Sequence, residues 1–218
     1  MTGKEFVAEL QREMRRLFEQ LGEYETLESE ADGDVEVAAL LKLALQSELE
    51  ASELAALWMP STPEIDVKRM LAHQCNDEMK HYELIVERLA EMGEDVSDLG
   101  PQAGRYTPLY QYLRPLKSTV ERVAAGPFTG EAIAEVRNAQ FIDFCRQAGD
   151  PATARLYEEI IQPEEVHHHQ LAAKLLEKYC DTPERQELAK SAMHSALAIA
   201  DELKSLAQST AADGAPVE

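Results

Sequence analysis

Two short motifs carry the first chemical signal, Glu78-Met79-Lys80-His81 and Glu164-Glu165-Val166-His167. A glutamate at i and a histidine at i+3 lie on one helical face, so a carboxylate and an imidazole can reach the same metal ion. In a chain with 41 acidic residues one such motif arises by chance, and the case rests on its company. Glu48 interrupts the apolar stripe Leu41, Leu45, Ser52 and Ala55, and Glu135 interrupts the stripe Phe128, Ala132, Ala139 and Ile142. An ionised carboxylate in a core must pair, protonate or bind metal. Glu48 precedes Glu78 by 30 positions and Glu135 precedes Glu164 by 29, which reads as an internal repeat. Each half then brings one Glu and one Glu-x-x-His to the same height. The expected metal ligands are therefore Glu48, Glu78, His81, Glu135, Glu164 and His167. Four carboxylates balance two divalent charges, and hard oxygen donors with two imidazoles suit iron or manganese better than zinc. The expected cofactor is two iron ions (Fe2+/Fe3+), with a manganese–iron pair as the variant and O2 as co-substrate.

Several neighbours compete for these roles. Glu131 shares the face of Glu135 one turn earlier, and Glu165 with His168 repeats the second motif one residue later. The stripe Leu156, Ile160, Leu171 and Leu175 passes through Glu164 and His167 and selects that pair. Glu50 and Glu53 point to other faces and read as solvated. Tyr157, two turns before Glu164, is the candidate catalytic residue, redox-active or hydrogen-bonding, with plain packing as its alternative. Pro163 removes one backbone bond and is expected to bend the chain just before Glu164. Cys75 reads as a small buried thiol, and His73 and His194 as ordinary polar residues.

The elements that must position these groups are helices, because apolar residues recur at three- and four-residue steps and no alternating strand stands out. An amphipathic helix over 3–21 carries Phe6, Leu10, Met14, Leu17 and Leu21 on one stripe, and the acidic run 23–36 reads as a solvated linker. Four longer helices are expected at 36–58, 64–93, 129–147 and 152–180, and another from Pro183 to about 207. The organisation is an N-terminal helix and acidic linker (1–35), a bundle (36–181), a C-terminal helix (182–208) and a disordered tail (209–218). Short connections make each pair of long helices an antiparallel hairpin, and the segment 94–128 is a long crossover. Two hairpins joined by one crossover form a ferritin-like four-helix bundle of the all-α class, with extra N- and C-terminal helices.

The 218 residues hold 21 Lys and Arg against 41 Asp and Glu, a net charge of −20. That excess argues against generic nucleic-acid binding and against an anionic membrane surface. Apolar runs fall short of the about 20 residues a membrane span needs. Three scattered cysteines make a disulfide framework improbable and a reducing cytoplasm the default. The one strip of opposite character is 101–130, where Arg105, Arg114, Lys117 and Arg122 against Glu121 leave a net of +3 among Tyr106, Tyr110 and Tyr112. It is the candidate anion- or nucleotide-facing surface, unless those cations pair with acidic neighbours.

With these residues in view, positions 37–180 resemble the ferritin-like diiron superfamily, and within it the tRNA hydroxylase family that acts on a prenylated adenosine. The resemblance runs through Ser47-Glu48-Leu49-Glu50-Ala51-Ser52, Glu78 with His81, Ala103-Gly104-Arg105-Tyr106, Glu135-Val136-Arg137-Asn138, and Glu164 with His167-His168. It implies Glu48, Glu78, His81, Glu135, Glu164 and His167 as iron ligands. The function expected is an O2-activating diiron oxidase or hydroxylase acting on a small organic or nucleotide-like substrate, supplied with electrons by an external donor. Other partners considered are tRNA, which the net charge opposes, and a second copy of the chain in a homodimer. Two other functions compete: a ferroxidase or peroxide-scavenging iron handler, and a helical interaction module with a structural metal site.

Overall fold

The computed structural model describes residues 1–20, 36–97 and 106–213, of which 19–20 and 201–213 are described in backbone only. The acidic run expected as a linker lies outside these residues up to position 35, as does Arg105 of the basic strip.

Every element among the described residues is helical. Helix α1 spans Gly3–Gln20, α2 Val37–Trp58 and α3 Ile65–Glu91. Pro60 and Pro63 forbid a longer α2, and a 3-10 turn at Met59–Ser61 closes it while Thr62 Oγ1 donates to the Trp58 carbonyl at 2.9 Å. At the other end of the hairpin Gly93 takes φ +84°, a left-handed conformation that ends α3 with Gly93 N–H bonded to Ala90 O and Glu94 N–H to Leu89 O.

The crossover is more helical than its Gly and Pro content suggests. Helix α4 (Pro108–Leu113) starts on proline, with Thr107 as its cap. Helix α5 (Thr119–Val123) opens on a reciprocal capping box between Ser118 and Glu121. It runs through a π segment, Ala124–Gly130, straight into α6 (Glu131–Gln147), so the third long helix begins ten residues before the expected 129. Helix α7 (Pro151–Leu156) likewise continues through a π segment, Tyr157–Ile161, into α8 (Gln162–Tyr179).

Proline explains both widened turns. It lacks an N–H and its ring crowds the carbonyl four residues back. A turn closed by i→i+5 bonds absorbs that misfit with one extra residue. Pro127 sits inside the first π segment, and Pro163 two residues after the second. The bend expected at Pro163 is therefore a widened turn directly ahead of Glu165. Helix α9 runs Pro183–Asp213, past the expected end near 207 and into the expected disordered tail. The first strong helix breaker there is Gly214.

The two hairpins, α2 with α3 and α6 with α7–α8, form the four-helix bundle, and α3 packs on α8. Helix α1 covers α8, and α9 covers α5 and the first π segment, so both outer helices brace one end of the bundle. The apolar core divides in two. One cluster joins Leu54, Trp58, Met70, Leu71, Phe128 and Leu176 with α1 and α9. The other joins Leu41, Leu45, Ile85, Phe141, Tyr157 and Ile161. On α2, α3 and α8 the buried residues between these two clusters are polar: Glu50 and Ser52, Gln74, Glu78 and His81, and Glu165 and His168.

Two surface expectations change. Glu50, read as solvated, is buried and accepts from Thr107 N–H (2.8 Å), Thr107 Oγ1 (2.5 Å) and Gln46 Nε2 (2.9 Å), which anchors the crossover to α2. Arg122 of the basic strip is also buried. It donates to Leu116 O at 2.8 Å and Thr62 Oγ1 at 3.2 Å, and lies 5.8 Å from the Trp58 ring centroid. It is a structural tie; Arg114 and Lys117 stay exposed.

Candidate metal centre

The polar layer between the two clusters contains Glu48 from α2, Glu78 and His81 from α3, Glu131 from α6, and Glu165 and His168 from α8. Two groups of four stand out, Glu48, Glu78, His81, Glu165 and Glu78, Glu131, Glu165, His168. Within each, one donor atom per residue lies within 4.8 Å of the others. Glu78 and Glu165 belong to both.

Three of the six expected ligands, Glu48, Glu78 and His81, are in this layer, and three are not. His167 is exposed, Glu135 is only half-buried, and Glu164 is half-buried beside Lys80, with Nζ 2.6 Å from its Oε1. Their places are taken by His168, Glu131 and Glu165, each of which is buried. Register explains the second motif. The π segment inserts one residue ahead of it, so the inward face runs Tyr157, Ile161, Glu165, His168, Ala172, while Leu156, Ile160 and Leu171 flank it half-buried. Height explains Glu131: its face is right, but Glu135 lies about 6 Å further along the axis at 1.5 Å per residue. The second hairpin is also no copy of the first, since Glu131 and Glu165 are 34 positions apart against 30 for Glu48 and Glu78.

Each imidazole is held by an acid from the opposite helix. His81 Nε2 lies 2.8 Å from Glu164 Oε2, and His168 Nε2 lies 3.0 Å from Asp77 Oδ2. A carboxylate at Nε2 keeps a proton there and turns Nδ1 toward the cluster. His81 Nδ1 is 3.2 Å from Glu48 Oε2, 3.4 Å from Glu78 Oε2 and 3.5 Å from Glu165 Oε1. His168 Nδ1 is 3.5 Å from Glu78 Oε1 and 3.6 Å from Glu165 Oε2. One turn before Glu78 the buried Gln74 donates Nε2–H to Glu131 Oε1 and fixes that carboxylate across the bundle. The roles of Asp77 and Glu164 have a partial trace in sequence. Asp77-Glu78-Met79-Lys80-His81 and Glu164-Glu165-Val166-His167-His168 are one five-residue pattern, an acid followed by Glu-x-x-His.

Burial and crowding set the protonation. Burial first, then the charge of Glu165, raises Glu78 and Glu131 well above the ordinary carboxylate range, and burial raises Glu48. Burial opposes ionisation of Glu165 as well, but the neighbouring Glu131, His168 and His81 pull it below that range. Burial would lower both imidazoles, yet the surrounding carboxylates raise His81, and Glu165, Glu78 and Asp77 raise His168 to about 9. Protons therefore neutralise the layer, and cations that displaced them would do so instead.

The donor atoms fit such cations. Glu78 Oε1, Glu165 Oε2 and His168 Nδ1 are buried without a hydrogen-bond partner and face one another, an arrangement proteins avoid unless something else binds there. Oxygen donors with one imidazole per group match iron or manganese. Tyr157 lies on the α7–α8 face that carries Glu165, buried and edge-on to Phe141 with ring centroids 4.8 Å apart.

Comparison with known proteins gives one family. The ferritin-like domain matches residues 38–180, which takes in all four bundle helices and the cluster. No curated protein and no solved structure matches the chain. Among the described residues, no helix is long and apolar enough to cross a membrane.

Proposed function

This chain belongs to the ferritin-like domain family, and from that membership we propose that its buried cluster holds two iron ions and that the protein is an O2-activating oxidase or hydroxylase of a small organic or nucleotide-like substrate. The observation that carries the reading is the pair of four-residue groups sharing Glu78 and Glu165. Glu48 and His81 would complete one metal's ligands, and Glu131 and His168 the other's, with Glu78 and Glu165 common to both. Iron held there would supply the redox electrons and open coordination positions for dioxygen chemistry.

The chain's own residues supply the rest. Four carboxylates balance two divalent cations, so the loaded layer is neutral inside a low-dielectric bundle. Asp77 and Glu164 keep the Nε2 protons in place and aim both Nδ1 atoms inward. Gln74 holds Glu131 in register. The apolar side chains above and below exclude water from the layer. Neutrality, sharing and fixed imidazoles all favour a resident metal pair over iron in transit, which supports an enzyme ahead of a storage or ferroxidase protein. A tRNA substrate gains little support, because Arg122 is tied up inside the fold.

Anaerobic loading with Fe(II) tests the reading. Two irons per chain are expected, retained through gel filtration after exposure to O2 and one reducing cycle. Fewer than two irons overturns the diiron assignment. Iron that leaves the chain on oxidation, or accumulates well beyond two per chain, overturns the enzyme in favour of iron handling.

A further inference from the structure

Among the described residues, Tyr157 is a buried polar side chain near the metal layer that the ligand set and its supporting acids leave unexplained. Its hydroxyl is buried and has no hydrogen-bond partner. A phenylalanine would make the same edge-on contact with Phe141 without leaving a buried donor unpaired. Its position is specific as well. Tyr157 opens the π segment, its carbonyl accepts the widened-turn bond from Gln162 N–H, and Ile161 and Glu165 follow on the same inward face. Burial first, then the charges of Glu48, Cys145 and Glu165, raise the pKa of the phenol. A buried donor left unpaired on the helix face that leads to the layer suits a further acceptor there.

Resting on the diiron reading, we propose that the Tyr157 hydroxyl donates a hydrogen bond to a small exogenous anion bound in the metal layer, and so selects and orients what binds there. The chemical class is a compact anion with an exposed lone pair, such as azide or hydroxide. Tyr157 is in this sense a ligand-contacting donor and takes no part in holding the metals.

Azide titration of the cobalt(II)-loaded chain, followed by its visible spectrum, tests the assignment. Metal content is measured first. Two cobalt ions per chain in both the native protein and Tyr157→Phe keep the diiron reading intact, and fewer than two in the native protein overturns that reading separately. With two metals in both, Tyr157→Phe is expected to weaken azide about tenfold, the effect of one lost hydrogen bond to a charged acceptor. Equal azide affinity overturns the proposal. A second measurement avoids any change of fold: 3-fluorotyrosine at position 157 keeps the ring's shape and makes the hydroxyl a stronger donor, so azide should bind more tightly. Unchanged or weaker binding there overturns the proposal as well.

Discussion

Glu164 and Glu165 are neighbours of one type whose side chains do different things. Glu165 enters the layer, while Glu164 stays at its rim with Oε2 on His81 and Oε1 on Lys80. The same division separates Asp77 from Glu78. Types and approximate positions of the ligands are legible in the sequence, because a carboxylate on an apolar stripe needs a reason to be there. The choice between adjacent acids is less so. It follows from the five-residue pattern only once both motifs are aligned on the acid ahead of Glu-x-x-His. Metal counts on purified variants check the assignment: Glu131→Ala and His168→Ala should fall from two metals per chain to about one, whereas Glu135→Ala and His167→Ala should keep two. The reverse pattern would return the site to Glu135 and His167.

At the scale of helices, three- and four-residue periodicity reveals four long elements and their hairpin pairing. It assumes that each helix is regular throughout. Two prolines break that assumption without breaking the helices, and each resulting π segment lies just ahead of a residue of the buried cluster, Glu131 in one case and Glu165 in the other. Gly126 lets the first of these turns sit against α2. A Cβ there would stand 3.0 and 3.1 Å from two ring carbons of Trp58, which is itself buried beneath Arg122. Gly126→Ala sets overpacking of about 1–3 kcal/mol against a helix-propensity gain of about 1 kcal/mol. With the indole pinned, overpacking should win. Thermal unfolding is expected to show a net loss in the native background and none in a Trp58→Phe background. Equal losses in both would mean that the indole is not what the glycine accommodates.

For the molecule as a whole, the acids behind the net charge of −20 include, among the described residues, four buried ones, Glu50, Glu78, Glu131 and Glu165. The buried acids couple folding to pH. His168 rises from 6.5 to about 9 on folding, so its contribution is fully present below pH 6.5 and is lost as pH climbs through about 9. That difference corresponds to roughly 3 kcal/mol. Glu78 and Glu131, raised by burial, act in the same direction, since each destabilises the fold once it ionises. The metal-free chain should therefore melt at progressively lower temperature from pH 6.5 to 9, measured by circular dichroism in the presence of a chelator. The loaded chain should hold or gain stability over the same window, because rising pH strips the protons that compete with metal. A metal-free chain whose Tm rises with pH would contradict this coupling.

The crossed support of the two imidazoles has one more consequence. Helix α3 orients the histidine of α8 through Asp77, and α8 orients the histidine of α3 through Glu164. Neither half-site can be put in order by its own helix alone. On the diiron reading, a first cation would lock the cross-helix contacts on which the second site also depends, so loading is expected to be positively cooperative, and a metal titration that resolves two independent sites would contradict this.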